Sequence, residues 1–269
     1  MTAPEDSGGS AVLLLRLAAP LQSWGYSSVF NRRETRAEPT KSGIIGLLAA
    51  AQGRAREDDI TDLAAVRLGV RVDQPGTLLR DFHTVSDYRG RPLLQSGVNA
   101  KGIQKPTSPA KYTHVTQRYY LQDAVFLAAV EGPEPLVEAL DDAVRNPAFP
   151  LSLGRRSCVP TQPISLGLRH GGVDAVLREE PWQVSRHARN AHCRRVGSRP
   201  ARVDLNATVD DTSGDDVLAD VPVSFDPFRR GFTSRRVRHL WLSAPTGIRN
   251  PDDPDQSASG HDPFALLGW

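Results

Sequence analysis

Two apolar stretches near the start of the chain have the spacing of β-strands. Residues 11–17 are almost continuously aliphatic, which predicts a buried central strand. In residues 66–72 the apolar positions alternate with Arg67, Gly69 and Arg71, which predicts a half-buried strand. A loop and the pattern of a helix separate the two strands, so this part of the chain is predicted to form a β-α-β unit.

The helix of this unit is predicted over about residues 40–52. Pro39 stops any preceding helix, Thr40 or Ser42 can cap the new one, and Gly53 suits the left-handed residue that closes it. The apolar stripe of the helix consists of Ile44, Ile45, Leu47 and Leu48.

A second β-α-β unit is predicted further along the chain. Residues 124–130 have a strand pattern, and a helix begins after them near Pro133. The buried face of that helix is marked by Leu136, Val137, Leu140 and Val144. Residues 149–153 are predicted to be a short strand or a loop. Two such units in series are the layout of a ferredoxin-like α+β domain, which RNA-recognition domains share.

An insert at residues 80–118 replaces the short loop that usually joins the two halves of such a domain. It carries seven basic residues and two acids, a formal balance of +5. Aromatic rings and histidines lie between the charges: Phe82, His83, Tyr88, Tyr112 and His114. Such a mixture suits a single-stranded nucleic acid, with charges on the phosphates and rings under the bases. A solvated flexible loop is the alternative.

The first turn of the helix at residues 40–52 is a candidate phosphate site. Lys41, Ser42 and Gly43 leave backbone N–H groups without helical partners, and the positive end of the helix dipole attracts an anion. Three arginines lie directly upstream: Arg32, Arg33 and Arg36. Many helices begin in this way and bind nothing, so that alternative stays open. A P-loop is excluded because it requires a glycine-rich loop before the Lys-Ser pair.

A second basic element lies at residues 153–160. Gly154 lets the backbone approach a phosphate, and Arg155 and Arg156 follow it as a clamp, with Ser157 next in the chain. Plain surface charge is the alternative for these arginines.

The pattern weakens after residue 164. Residues 181–184 can form a strand, and residues 232–242 are predicted to form the last one. Between them a basic block without acids, residues 185–202, precedes an acidic block, residues 204–220. The two blocks either neutralise each other in part or face different partners.

The length of 269 residues suits one large domain or two small ones. The predicted division is a ferredoxin-like domain with the insert, a smaller β-rich region, and a flexible tail rich in Pro, Asp, Ser and Gly: residues 1–165, 166–245 and 246–269.

Composition adds a bias toward arginine, which makes up 29 of the 33 basic residues. The forked guanidinium binds phosphate and stacks on bases, and a GC-rich genome contributes to the same bias. Cys158 and Cys193 form no metal-ligand pair and no disulfide framework. The polar N-terminus lacks a signal-peptide pattern, and no apolar run could span a membrane. A cytoplasmic protein without a cofactor or metal is therefore predicted.

Several motifs, in order along residues 11–245, give the chain a family resemblance. They are the Gln22-Ser23-Trp24 segment after the first strand, the Glu38-Pro39-Thr40-Lys41-Ser42-Gly43 helix start, residues 79–85, the glycine-rich loop at residues 153–160, and Phe232-Thr233-Ser234-Arg235. Together they resemble the CasD family, the Cas-five-type subunits of type I-E CRISPR Cascade complexes within the RAMP superfamily.

This resemblance implies a non-catalytic, ferredoxin-like subunit that binds the 5′ handle of the guide RNA. In the family a thumb, here residues 80–118, packs across the guide and against the backbone subunit CasC. The subunit also supports the large subunit CasA, which recognises the motif next to the target DNA. The residues and the resemblance together predict these RNA contacts: Gln22, Trp24, Arg32, Arg33, Arg36, Lys41, Ser42, Arg80, His83, Lys101, Lys105, Lys111, Arg155, Arg156 and Ser157.

A metal-independent endoribonuclease is the alternative, because a related branch in type I-C systems processes the repeat RNA itself. Such an enzyme would use His83 as general acid or base. Tyr119 or Tyr120, and Lys105 or Lys111, would stabilise the developing charge. No carboxylate cluster suggests metal-assisted cleavage. A protein scaffold without RNA contacts fits the many arginines poorly.

Overall fold

The computed structural model describes residues 9–25, 31–86 and 113–248. Within these ranges the strands are β1 Ser10–Ala18, β2 Leu21–Gln22, β3 Arg32–Arg33, β4 Arg67–Gln74, β5 Thr77–Ser86, β6 Thr113–Gln122, β7 Val125–Pro133, β8 Ser165–Arg169, β9 Arg202–Asp210, β10 Asp216–Ser224 and β11 Gly231–Pro245. The helices are α1 Lys41–Ala51, α2 Thr61–Ala64, α3 Glu134–Arg145, α4 Val173–Glu179 and α5 Arg186–Val196.

Seven strands form one antiparallel sheet in the order β10-β11-β9-β4-β7-β1-β8. Strand β1 lies between β7 and β8, and β4 joins β7 to β9. The strands that follow residue 200 therefore extend the same sheet that the earlier strands begin. The protein is a mixed α+β structure built on antiparallel sheets.

Helices cover both faces of this sheet. Leu13, Leu15 and Leu17 of β1 pack in a core with α1 and α3, whereas Val12 and Leu14 pack in a second core with α4. Successive side chains of a strand point to opposite faces, so β1 has apolar neighbours on both. The predicted central strand is confirmed, and its unbroken aliphatic pattern reflects the two covered faces.

Strand β4 is buried on both faces, so the prediction of a half-buried strand is wrong. Gly69 lets α4 approach closely, because an added Cβ would lie 2.3 Å from Cγ1 of Val173. Arg71 is fully buried, pairs with Asp73 at 2.7 Å, and donates to carbonyl groups at the end of α4. The arginine that looks like a polar-face residue in the sequence is satisfied internally by the C-terminus of a helix.

The predicted ends of α1 are confirmed. Thr40 is the N-cap, and its Oγ1 accepts a hydrogen bond from the Gly43 N–H at 3.2 Å. Gly53 has a left-handed φ of +77° just beyond the helix. Helix α3 also begins after Pro133 as predicted, and its buried residues are Val137, Leu140 and Val144.

The second half of the chain departs from the sequence pattern. Residues 181–184 form no strand, so that prediction is wrong, and the Trp182 N–H bonds to the carbonyl of Pro245 at 2.8 Å. Residues 149–153 form a loop rather than a strand. The last strand is confirmed and is longer than predicted. Helix α5 lies in the basic block, and β9 and β10 contain most of the acidic block. The sequence pattern predicts no helix or strand in either block.

Strands β2, β3, β5 and β6 form a second, smaller sheet. Strands β5 and β6 form an antiparallel hairpin that pairs from Thr77–Gln122 to Ser86–Thr113. Strand β6 also pairs with β2 and, in parallel, with β3. Residues 87–112 lie outside the described ranges, and with them the predicted RNA contacts Lys101, Lys105 and Lys111.

Candidate nucleic-acid interface

Arginines from three separate segments converge at the base of the β5–β6 hairpin. The parallel pairing of β3 with β6 places Arg33 opposite Arg118 and Arg32 opposite Gln117. Arg155, from the loop after α3, donates to the carbonyls of Arg33 at 2.7 Å and Tyr119 at 3.1 Å. We call Arg32, Arg33, Arg118, Arg155 and Arg156 the arginine cluster.

The loop at residues 153–158 is tightly folded and anchored to the end of β2. The Leu153 N–H donates to the carbonyl of Cys158 at 2.8 Å, and the Ser23 N–H donates to the carbonyl of Leu153 at 3.2 Å. Gly154 has a φ of +90°, and an added Cβ would lie 1.8 Å from the carbonyl oxygen of Ser23. Only glycine fits here, which fixes where the following arginines emerge.

Two members of the arginine cluster make cation–π contacts with tyrosine rings. The Arg155 guanidinium lies over the Tyr120 ring at 4.6 Å from its centroid, and Arg32 lies over Tyr119 at 5.2 Å. Arg155 is half-buried and its bonds go to carbonyls and a ring, so it positions the segment that carries Arg33. Arg32 and Arg156 are exposed and can reach a phosphate, although the Arg32 Nε also pairs with Glu34 Oε1 at 2.7 Å on the surface.

The hairpin has one face that combines apolar, aromatic and basic side chains. Its register sets Arg80 opposite Tyr119 and Phe82 opposite Gln117, so these residues share a face. Phe82 is 66% exposed and Arg80 is also exposed. Exposed rings beside arginines can stack bases while the charges bind the backbone.

The opposite face carries His83, whose Nδ1 lies 3.7 Å from Oδ2 of Asp81. His83 stands opposite Thr116, and Asp81 stands opposite Arg118. Both side chains are partly exposed. In the described ranges, no group of His, Cys, Asp and Glu side chains is placed to hold a metal ion, and no helix is long and apolar enough to cross a membrane.

A family model described as CRISPR-associated protein (Cas_Cas5) matches residues 12–238. The chain belongs to this Cas5 family.

Individual relatives agree with that assignment. The Cas5 chain is 37% identical to the CRISPR system Cascade subunit CasD of Escherichia coli (strain K12) over 190 residues, which is 63% of this chain and 77% of that protein. A chain of a CRISPR RNA-guided surveillance complex matches with a TM-score of 0.69 and 36% identity, over 90% of this chain and 94% of the other. A solved Cas protein matches with a TM-score of 0.62 and 38% identity, over 87% and 95% of the two chains.

Gln22 and Trp24 lie inside the Cas5 chain, which corrects their prediction as direct RNA contacts. The Gln22 amide donates to the carbonyls of Leu17 at 3.0 Å and Ala124 at 2.7 Å, and its Oε1 accepts from the Trp24 indole at 3.1 Å. Both side chains are buried. A Cβ on Gly43 would lie 2.7 Å from the Trp24 ring, so this motif packs the end of β1 against α1.

The prediction for Lys41 is also corrected. Its Nζ is buried and donates to Asp210 Oδ2 at 2.9 Å and to the carbonyl of Val66 at 2.6 Å. The Lys41 N–H, at the N-terminus of α1, donates to Asp220 Oδ2 at 2.8 Å. The anion at this helix terminus is therefore a carboxylate of the protein itself. Ser42 is half-buried, with its Oγ 3.3 Å from Thr40 Oγ1.

Arg235 completes this buried ion network. Its Nε and Nη2 donate to the two oxygens of Asp220 at 2.7 and 3.0 Å, and its Nη1 donates to Asp210. Burial raises the pKa of Asp220, but the hydrogen bonds and charge of Arg235 outweigh it, so the pKa lies below its usual range. The network joins the Lys41 motif to the Phe-x-Ser-Arg motif and is neutral overall.

The remaining predicted contacts lie near the surface. Arg36 is half-buried, and its N–H bonds to the carbonyl of Trp24 at 2.8 Å. Ser157 is exposed beside Arg156. Arg118 and Phe82 belong to the insert whose charges and rings were predicted to suit a nucleic acid, although neither was named among the individual contacts. The mixture of rings and charges in the insert was a signal for them, but only the strand register shows which side chains share a face.

Proposed function

We propose that this chain is a non-catalytic guide-RNA-binding subunit of a type I-E CRISPR Cascade complex, where it holds the 5′ handle of the guide. The arginine cluster at the base of the hairpin carries the proposal: Arg32 and Arg155 lie over tyrosine rings, Arg33 stands opposite Arg118, and Arg156 follows Arg155 in the chain. Membership of the Cas5 family and the likeness to a Cascade CasD subunit support it.

The proposed contacts divide by chemistry. Arg32 and Arg156 bind phosphates of the handle, because an exposed guanidinium group can bind a phosphate through two donors. Arg118 lies between the segments that carry them and binds the same phosphates. Phe82 and Arg80, on the open face of the hairpin, stack and hold bases. Ser157 adds a hydroxyl donor beside Arg156.

We further propose that the fold is ferredoxin-like. The strand order β8-β1-β7-β4, with α1 and α3 on one face, is the order expected for two β-α-β units in such a domain. On this view the RAMP domain predicted over residues 1–165 runs on to the end of β8 at Arg169, residues 80–118 form its thumb, and β9, β10 and β11 of the region predicted over residues 166–245 add strands to the same sheet. Residues 246–269 remain the proposed tail.

The proposed partners follow from the same assignment. The thumb would contact the backbone subunit CasC, and the rest of the subunit would support CasA, so that contact with target DNA is indirect. We place the protein in the cytoplasm, where its guide RNA is made, and propose no cofactor.

The geometry does not favour the ribonuclease alternative. Tyr119 shares a hairpin face with Arg80, and His83 lies on the other face. Tyr120 is on the His83 face, but its backbone is four residues beyond Thr116, about 13 Å along the strand. Tyr120 is also buried beneath Arg155. His83 therefore has neither tyrosine beside it to stabilise a developing charge.

The Arg32→Ala/Arg156→Ala variant tests the proposed contacts. Each lost phosphate contact on a single strand lowers the slope of log affinity against log salt by about 0.7. The double variant is therefore expected to bind a repeat-derived RNA more weakly and with a slope shallower by about 1.4. Fluorescence anisotropy of labelled RNA over a salt series measures both quantities.

The matched control is Arg56→Ala/Arg178→Ala, which also removes two exposed arginines but from outside the arginine cluster. It should leave the slope unchanged. Equal slopes in the wild-type chain and in Arg32→Ala/Arg156→Ala would reject the assignment.

A further inference from the structure

The chain that follows β11 leaves the fold beside helix α5. The Thr246 N–H donates to the carbonyl of Ala201, just beyond that helix, at 2.9 Å. A Cβ added to Gly247 would lie 3.5 Å from Nη1 of Arg189. The last described range ends one residue later, at Ile248. Residues 249–269 therefore start next to α5.

Residues 249–269 combine an acidic segment with an apolar one. They contain four aspartates and one arginine, and three of the aspartates are close together: Asp252, Asp253 and Asp255. Residues 264–269 read Phe-Ala-Leu-Leu-Gly-Trp. The whole segment lies beyond the match to the Cas5 family model, which covers residues 12–238. Its chemistry is therefore a property of this chain rather than of the matched family region.

Helix α5 has the opposite charge. Residues 185–202 contain six arginines and no acid. The acidic block of residues 204–220 forms its described ion pairs with cations outside this helix: Lys41, Arg235, Arg238 and His239. Those carboxylates therefore leave the arginines of α5 to other anions.

Three guanidinium groups around α5 have donors that a carboxylate could use. Arg189 donates through Nη2 to the carbonyl of Trp182 at 2.6 Å, but its buried Nε has no hydrogen-bond partner among the described residues. Burial lowers the pKa of Arg189, and the charge of Asp73 opposes this only in part. Arg194 and Arg195 are exposed, and the Nη2 of Arg195 lies 3.3 Å from a ring nitrogen, Nδ1 of His192.

The side of α5 that faces the sheet borders a groove of about 590 Å³. Strands β4 and β9 pair only from Gly69–Val209 to Arg71–Ala207, and the groove lies between their continuations. Ala188 and Ala191 line it from the helix. Trp241 of β11 also lines it, with 72% of its surface exposed. An indole this exposed beside two alanines offers an apolar surface for another side chain.

The charges that line this groove nearly balance. Asp73 is paired with the buried Arg71 at 2.7 Å. Asp204 on one wall is offset by Arg195 on the other. An uncharged apolar segment fits such a lining better than an anionic one, because it brings no unpaired charge into the groove.

The segment is long enough to reach both surfaces. Residues 249–263 span up to about 50 Å when extended, and a helix with its side chains is only about 10–12 Å across. Arg194 lies about 140° around the helix axis from Arg189, and Arg195 lies at the groove. A segment that starts beside Arg189 can therefore cross the outer side of α5, pass Arg194 and Arg195, and enter the groove.

We propose that residues 250–269 dock on helix α5 of their own chain. The aspartates at positions 252–255 pair with Arg189, Arg194 and Arg195, and the apolar residues 264–269 fill the groove and cover Trp241. The proposal rests on complementarity of both kinds along one path: acid against arginine first, then apolar against apolar. It is independent of the guide-RNA site.

The test is the rate at which chymotrypsin cleaves after Phe264, measured by mass spectrometry on the full chain and on a synthetic peptide of residues 249–269. A docked segment must open before it is cut, so its cleavage rate follows the open fraction. A few surface ion pairs and one or two buried apolar side chains should slow cleavage in the chain about tenfold relative to the peptide.

Three full-length variants test the assigned contacts. Trp241→Ala and Arg194→Ala/Arg195→Ala should each bring the cleavage rate closer to that of the peptide. Asp252→Asn/Asp253→Asn/Asp255→Asn should do the same, with a peptide of its own sequence as reference. Combining the arginine and aspartate changes should accelerate cleavage no more than either set alone, because both remove the same ion pairs. Arg56→Ala/Arg178→Ala is the control and should leave the rate unchanged.

Equal cleavage rates in the wild-type chain and the peptide would overturn the proposal, and this comparison needs no variant. Slow cleavage that ignores the changes at Trp241, Arg194 and Arg195 would also overturn it, because the segment would then dock elsewhere. Slowing that increases with protein concentration would show that the segment docks on a second copy instead. The assay contains no RNA, so none of these results bears on the guide-RNA site.

Discussion

The Arg235→Ala variant is expected to have a free energy of unfolding about 3–5 kcal/mol lower than that of the wild-type chain, because it leaves buried charge without a partner. Arg235 contacts both Asp210 and Asp220, and the exposed fractions of the three side chains are 8%, 13% and 2%. Without its guanidinium, Asp220 keeps only the Lys41 N–H among the bonds described here. Urea denaturation followed by circular dichroism measures the change.

The loss of stability in Arg235→Ala should become smaller at acidic pH. Because Arg235 holds the pKa of Asp220 below its usual range, Asp220 stabilises the wild-type fold above its unfolded pKa of about 4. That contribution disappears as the pH falls through the lower folded pKa. The difference between wild type and Arg235→Ala should therefore shrink below pH 4.

Arg229→Ala, which removes an exposed arginine before the same strand, is the control and should change stability little. If the free energies of unfolding of Arg235→Ala and wild type differ by less than about 1 kcal/mol at neutral pH, removing Arg235 does not leave a costly unpaired charge in the buried network, and the expectation is contradicted.

The Gly154→Ala variant is expected to lose both stability and RNA affinity. A non-glycine residue in a left-handed conformation costs about 1–2 kcal/mol, and the new Cβ would also collide with the Ser23 carbonyl oxygen. The loop must move, and Arg155 and Arg156 move with it. We expect a loss of more than about 2 kcal/mol in stability and weaker binding of repeat RNA, measured by thermal denaturation and anisotropy.

Gly172→Ala provides a matched control. Gly172 precedes α4 with a φ of −78°, and a Cβ there would meet nothing within 4 Å. It should therefore behave like wild type. A Gly154→Ala chain with wild-type midpoint and affinity would show that the loop does not position the arginines.

The parts of the fold that sequence reasoning predicted are those that local chemistry specifies. In α1 the signals for both ends, Thr40 and Gly53, lie within a residue or two of the helix they bound. The apolar runs of β1 and β7 likewise need no knowledge of the partner strand. Each of these predictions depends on contacts that are close in the sequence.

The failures come from partners that lie far along the chain. Nothing near Arg71 indicates that α4, about a hundred residues later, ends against its guanidinium. Helix α5 has no apolar stripe, although Ser185 caps it and Gly197 closes it with a φ of +73°. Those two residues were the only signal that sequence offered for this helix.

The candidate site shows the same division. The basic character of the hairpin, of residues 32–36 and of the glycine-rich loop was visible in the sequence. The burial of Lys41 and Gln22 was not, because their partners Asp210 and Ala124 are distant. A lysine at a helix start has the same sequence pattern whether it faces a phosphate or an internal carboxylate.

The most direct test of the central claim is titration of the purified chain with labelled guide RNA that carries or lacks the 5′ handle, with the RNA then examined for cleavage. A non-catalytic subunit that holds the handle should bind the handle-bearing RNA more tightly and leave both RNAs intact after incubation. Equal affinity for the two RNAs would contradict the handle assignment. Specific cleavage of the repeat that is lost in His83→Ala would contradict the non-catalytic role.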